Sequence, residues 1–284
     1  EIASSDWSSD VCSSDLRIGA TARMLLKTPI KRGLISFDPN SSYASYYKLQ
    51  WSDRGFVAGL LGLEIDSEDM TDSLKIADEK GVKVDFVIEE KENEEPNYAY
   101  MELEGEDGSE LRLGTTSIGG GAIEIIEIDG YPICIRGDFN TVFIYVKENA
   151  GVAEIKEKAE KIIGGQCKIK EISKESACLL CIETRVFVNE KQIGELEQTE
   201  GIEKVRYTEH VLPVLSRFVY EGIPFRTAVE ALEFGEKNNI SSAGELGIRY
   251  EMKRSGYSRD EVMDMMKKII RVMRESAHRG IENK

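Results

Sequence analysis

The sequence predicts an α+β chain in three segments, and three observations predict it. Helix-like stretches give way to short alternating apolar runs separated by glycine-containing turns. Residues 141–209 then alternate strand and helix patterns in the order βαββαβ. From about Leu215 the chain carries helix-start signatures instead of strand patterns.

Taken in order, residues 1–16 (EIASSDWSSDVCSSDL) have no apolar period and no basic or apolar signal-peptide region. Asp6–Leu16 resembles the forward translation of a short-read sequencing adapter, so residues 1–16, Cys12 included, are set aside and are expected to pack poorly. Arg17–Lys27 (RIGATARMLLK) reads as a helix whose start has been cut away. Leu34–Phe37 is a short strand before a Pro39-Asn40-Ser41-Ser42 turn. Ser52–Gly62 reads as a helix with Ser52 as N-cap and Asp53 in its first turn, and a second helix spans about Ser67–Lys80, stopping at Gly81. Strands follow at Val82–Ile88, Tyr98–Leu103, Leu111–Ile118 and Ala122–Ile128, and this α/β part ends near Gly137.

The second part opens with the apolar strand TVFIYV. A helix at Val152–Ile163 follows, with Val152, Ile155, Ala159, Ile162 and Ile163 on one face, ended by Gly164-Gly165. Strands at Cys167–Ile172 and Ala177–Thr184, a helix at about Glu190–Thr199 and a strand at Val205–Thr208 complete it. Such an order folds as a four-stranded antiparallel sheet with both helices on one face. In the third part, Thr227…Glu230, Ser242…Glu245 and Ser258…Glu261 have capping-box spacing. The last helix carries a stripe of Val262, Met265, Met266, Ile269, Ile270 and Met273. Its apolar area exceeds what three short helices can bury among themselves, so more protein is expected after Lys284. With residues 1–16 set aside, the segments are thus 17–138, 139–212 and 213–284.

A net charge of −15 argues against nucleic-acid and anionic-membrane partners, which need a basic surface. No apolar run approaches the roughly 20 residues of a membrane span. Five cysteines without regular spacing fit a reducing compartment, hence a cytoplasmic protein. Cys178 and Cys181 have CxxC spacing but fall in a strand, where i and i+3 point to opposite faces. With Cys134 and Cys167 they read as buried structural thiols, and no metal site is assigned. His210 and His278 read as surface or cap residues.

The most informative motif is Ser117-Ile118-Gly119-Gly120-Gly121, set between two β segments. Consecutive glycines can adopt positive φ and uncover amide N–H groups, a nest for carboxylate or phosphate oxygens. The Gly-Lys-Ser/Thr ending of a nucleotide-binding loop is missing. Taken alone, the residues fit a bulged β connection at least as well.

SIGGG, the Glu95-Pro96-Asn97 turn upstream, RIGATAR, AGLLGLEID, IADEKGVKVDF and IEIDGYPICIRG together resemble the β portion of iron–sulfur-dependent L-serine dehydratase over about residues 17–210. The βαββαβ unit resembles the ACT domain of that family, and the helical tail resembles the opening of its α portion. The resemblance implies a lyase that converts L-serine to pyruvate and ammonia. Its [4Fe–4S] cluster would be held by three cysteines of the α core outside this chain, with the open iron acting on the substrate hydroxyl. It implies that the β domain forms one wall of the site, with Ser117, Gly119, Gly120, Gly121, Asn97, Gln50, Ser52 and Asp53 holding substrate. No catalytic residue is assigned within the chain, which alone is expected to be inactive. The loop Asn149, Ala150, Gly151 would contact an amino-acid effector or a partner copy, giving a homo-oligomer through the ACT or β domains; a purely structural role for it stays equally open. The family's Ser-Ser-Ser-His-Thr motif is replaced by the adapter-like stretch, the histidine of its Gly-His-Gly-Thr-Asp segment by Gln50, and that of its His-Pro-Asn turn by Glu95. These departures leave open a lyase for another β-hydroxy amino acid, or an amino-acid-sensing module without catalysis.

Overall fold

The computed structural model describes residues 13–63, 67–91, 95, 97–137, 139–174, 177–209, 224–225, 227–255 and 257–282. The readings placed on residues 1–12, Pro96 and His210 lie outside them. The chain divides into two compact units, 1–216 and 217–284.

The first unit opens with helix α1 (Ser13–Leu26), strand β1 (Ile30–Phe37), a short helix α2 (Ser42–Tyr46) and helix α3 (Ser52–Leu61). A 3-10 turn (Glu68–Asp72) leads into α4 (Ser73–Glu79). Strands β2 (Lys83–Ile88), β3 (Tyr98–Gly105), β4 (Glu110–Gly119), β5 (Ala122–Ile128) and β6 (Tyr131–Ile135) follow. They form one six-stranded sheet in the order β2-β1-β3-β4-β5-β6. Only the β1–β2 pairing is parallel, because the α2–α4 crossover joins those two strands; the rest is an antiparallel meander.

The expectation that residues 1–16 pack poorly is corrected for their last four. Ser13–Leu16 form the first turn of α1, and Ser14, Asp15 and Leu16 are buried. Leu16 packs with Ala58 and Met70, so the helix continues upstream of Arg17 wherever its apolar face still finds a partner. Helices α1 and α3 run side by side in one direction: Asp15 bonds Ser52 at one end and Arg23 meets Gly62 at the other. Gly19 and Gly59 make this approach possible. A Cβ on Gly59 would lie 2.0 Å from the Leu16 carbonyl oxygen, and one on Gly19 would lie 2.3 Å from that of Phe56. Ser52 does not cap α3 as expected. The cap position is Trp51, in the left-handed region at φ 59°, and Ser52 is instead the first helical residue.

The second sheet comprises β7 (Asn140–Val146), β8 (Cys167–Lys174), β9 (Ala177–Thr184) and β10 (Ile202–Thr208), in the order β10-β7-β9-β8 with all pairs antiparallel. Helices α5 (Val152–Ile163) and α6 (Glu190–Glu197) lie between its strands in sequence. Every residue of β7 is buried because both faces of this sheet are covered, which explains its unbroken apolar run. Val142, Ile144, Leu180 and Ile182 join one core with Ile155, Ala159 and Ile163 of α5 and Leu196 of α6. Phe143, Tyr145, Leu179 and Cys181 point the other way, into the core of the six-stranded sheet with Leu25, Met101 and Leu113. Cys178 belongs to the first of these cores and Cys181 to the second, so the two thiols do face oppositely, as strand geometry requires.

One buried cation ties the layers together. Arg206 on β10 is 2% exposed. It donates to the Leu25 carbonyl at the end of α1 (2.8 Å), to the Glu110 carbonyl at the start of β4 and to the Asp129 carboxylate between β5 and β6 (3.0 Å). Asp129 also accepts from the Tyr145 hydroxyl at 2.6 Å. Burial pushes the Asp129 carboxyl up, but Arg206, Tyr145, the Arg112 amide and Lys204 outweigh it and hold it below its ordinary value.

The second unit contains α7 (Ala228–Lys237), α8 (Ala243–Ser255) and α9 (Arg259–Glu282). Ser258 and Glu261 form the reciprocal capping box expected of them: the Ser258 hydroxyl accepts from the Glu261 amide, and Glu261 accepts from the Ser258 amide at 2.7 Å. Thr227 and Ser242 accept from the amides of Glu230 and Glu245. Of the apolar stripe on α9, Val262 is buried, whereas Met266, Ile270 and Met273 stay exposed.

Candidate functional site

The glycine motif ends β4 and opens β5. Gly119 pairs with Ala122, so Gly120 and Gly121 are the two central residues of a hairpin, at φ 63° and 73°. Two consecutive positive-φ residues match the right-handed twist of the flanking strands, and glycine takes that conformation without a Cβ penalty. A register shift between Ser117 and Gly119 makes it a bulged hairpin, the structural possibility that the sequence left open. Space differs between the two glycines. A Cβ on Gly120 would meet nothing within 4 Å, whereas one on Gly121 would lie 2.7 Å from both Arg17 Nη1 and Ser13 Oγ.

Side chains from three other elements converge on this hairpin. Asn97 Nδ2 donates to the Ser117 carbonyl at 3.2 Å, and the Ser117 amide donates back to the Asn97 carbonyl at 3.3 Å. Ser42 on α2 donates its hydroxyl to Asn97 Oδ1. Arg17 on α1 donates to the Gly121 carbonyl. Next to Ser117, Thr116 is 2% exposed and its hydroxyl has no partner among the described residues. Of the residues singled out from the sequence, Asn97, Ser117, Gly119, Gly120 and Gly121 therefore form one cluster.

Ser52 and Asp53 sit at the start of α3, on the other side of the α1 N-terminus. Ser52 is buried and bonds Asp15, which also accepts from the Tyr43 hydroxyl at 2.5 Å. Burial pushes the Asp15 carboxyl up to about 6, against the lowering effect of Tyr43, Ser52 and Ser14. Asp53 is half-buried and also raised by desolvation, while its carboxylate accepts from the Arg54 amide at 2.8 Å. Gln50 is exposed in the turn before α3. Asn149 (φ 62°), Ala150 and Gly151 lie elsewhere, between β7 and α5, where the Lys147 amide bonds the Gly201 carbonyl at the start of β10.

Sequence reasoning missed Arg17, Ser42 and Tyr43. For Arg17 no local signal existed, because a lone cation in a helical stretch does not show what it meets. Ser42 and Tyr43 gave none, because SYASY has no helical period.

The four described thiols do not fit an iron–sulfur cluster. Cys134 is exposed on β6, Cys167 and Cys178 are partly buried, and Cys181 is buried on the opposite face from Cys178. Burial raises all four thiols, Cys181 to about 12, whereas a cluster ligand must be a thiolate. Among the described residues no three His, Cys, Asp or Glu side chains are grouped to hold a metal ion.

No family model matches the chain. Among characterised proteins, it is 30% identical over 193 residues to the "Probable L-serine dehydratase, beta chain" of Bacillus subtilis (strain 168), covering 66% of this chain and 86% of that protein. It is 27% identical over 180 residues to the "L-serine dehydratase, beta chain" of Peptoniphilus asaccharolyticus, covering 62% and 80%. A mixed sheet that gathers polar side chains around a glycine hairpin, with relatives of these names, defines one chain of an amino-acid lyase. The protein belongs to the L-serine dehydratase beta-chain family.

Proposed function

We propose that this chain forms one wall of the L-serine-binding site in a two-part dehydratase, and that an α partner supplies the chemistry this chain lacks. The convergence of Ser42, Asn97, Ser117, Arg17 and the Gly119–Gly121 hairpin carries the reading. These groups donate and accept hydrogen bonds and provide one cation, which suits a small zwitterion bearing a hydroxyl. Gln50, Ser52 and Asp53 border the same helix N-termini. Ser52 acts through Asp15, whereas desolvation raises the Asp53 carboxyl above its ordinary value.

In this reading the [4Fe–4S] cluster belongs to the α partner, because the four described thiols do not converge. When bound there it would supply the Lewis acid for loss of the hydroxyl. The second sheet with α5 and α6 serves as an ACT-type regulatory layer, and the Asn149–Gly151 loop receives an amino-acid effector or a second copy of the chain. A cytoplasmic setting suits the free thiols. No helix among the described residues is long and apolar enough to cross a membrane.

The test is pyruvate formation from L-serine after anaerobic cluster reconstitution, with the chain alone and with an L-serine dehydratase α chain. The expected result is no turnover alone and cluster-dependent turnover together. Turnover by the isolated chain would overturn the division of labour. Gln50, standing where the family has a histidine, favours a second reading in which the preferred substrate is another β-hydroxy amino acid; L-threonine in the same assay decides between them.

A further inference from the structure

Arg17 lies in the second turn of α1, half-buried, and among the described residues its side chain makes one hydrogen bond, from Nη1 to the Gly121 carbonyl. Among the described residues no carboxylate pairs with it. Burial lowers its proton affinity, and no described residue offsets that with a negative charge. A half-buried guanidinium in such a place is costly unless an anion arrives.

The surroundings are built to hold it. Gly121 has no side chain at the point where Nη1 comes to rest, and a methyl there would lie 2.7 Å away. The Gly121 carbonyl occupies one nitrogen and leaves the Nε–Nη2 edge of the fork, which is the edge that engages a carboxylate through two parallel hydrogen bonds. The same hairpin carries Ser117, held by Asn97 and through it by Ser42.

We infer that Arg17 binds the carboxylate of the substrate, with Gly121 as the notch that positions it. The inference deepens the lyase reading above and rests on it for the identity of the substrate, though not for the anion site itself. It also assigns specificity: a substrate lacking the carboxylate would leave the guanidinium buried and unpaired.

Two experiments separate the anion site from the lyase reading. In the first, the Arg17 side-chain Nε–H resonance of the ¹⁵N-labelled chain, assigned by its loss in Arg17→Lys, is followed during titration with sodium acetate, L-serine, L-serinamide and sodium chloride. Acetate and L-serine should give saturable shifts, whereas L-serinamide and chloride should not, and Gly121→Ala should abolish the response. The absence of any shift, an equal response to chloride, or an unaltered response in Gly121→Ala overturns the assignment. In the second, Arg17→Lys in the chain assembled with an α chain should raise KM for L-serine by about 10- to 100-fold with a smaller change in kcat, as expected on losing a bidentate charge-assisted contact. An unchanged KM in an active assembly overturns the role in substrate binding. An assembly that makes no pyruvate while acetate still shifts Arg17 refutes the lyase reading and supports the carboxylate site.

Discussion

Replacing Asp15 with Asn should make the protein more stable, and increasingly so as the pH rises. Asp15 is 2% exposed, and its carboxyl is pushed up to about 6 from 3.8, chiefly by burial. Below pH 3.8 the group is protonated in both states and the folded form keeps its full contribution. Between 3.8 and about 6 the unfolded chain releases the proton freely while the folded chain retains it, so stability falls as pH rises through this window. Above it the loss is complete, at about 1.36 kcal/mol per unit or roughly 3 kcal/mol in all. Asn keeps an acceptor for the Tyr43 hydroxyl and carries no charge. The stability difference between Asp15→Asn and the parent should therefore widen by about 1.4 kcal/mol from pH 5 to pH 8. Urea unfolding at both pH values measures it, and the trend with pH is the test, since the absolute offset also contains the new amide. A difference that stays constant or narrows across that range would refute the account of a buried, proton-holding carboxyl.

Three other outcomes follow from the packing. Gly59→Ala should destabilise the first unit by about 2 kcal/mol or more, because its methyl would meet the Leu16 carbonyl oxygen at 2.0 Å and the helices must part; thermal unfolding reads the loss, and a shift under 1 °C would contradict the close crossing. Gly120→Ala should cost only about 1 kcal/mol, from its positive φ, since nothing lies near its Cβ; a loss above 3 kcal/mol in denaturant unfolding would indicate a contact that the hairpin does not have. Under native conditions iodoacetamide should label exposed Cys134 well before Cys181, whose thiol burial pushes up to about 12; mass spectrometry that finds Cys181 modified first would contradict the strand orientation.

Legibility in the sequence followed how much of each pattern was local. The helix Val152–Ile163 and the strand Ala177–Thr184 were readable to the residue, one from its 3.6-residue period and the other from an apolar run between turn signals. Tyr131–Ile135 escaped as a strand because it is five residues long and contains Pro132, which only an edge position such as β6 tolerates. Ser42–Tyr46 escaped because one helical turn rich in tyrosine has no period to detect. The hairpin glycines were legible as a motif, but their partners were not: Ser42, Asn97 and Arg17 reach Gly119–Gly121 through sheet order and a helix crossing that no local window contains. Ser13–Leu16 were misjudged for the same reason, since the groove that receives Leu16 is made by Ala58 and Met70.

The grip of Arg206 gives the molecule the mechanics of a lever. It holds the last turn of α1, the first residue of β4 and the turn that closes β5. The opposite ends of the same three elements carry Arg17, Ser117 and the glycine hairpin. A ten-residue strand such as β4 is about 33 Å long, so a rocking of only 3° about the guanidinium would displace its far end by nearly 2 Å. A hydrogen bond to a group at that end tolerates far less displacement than that. Small tilts about this point are thus long strokes at the glycine hairpin.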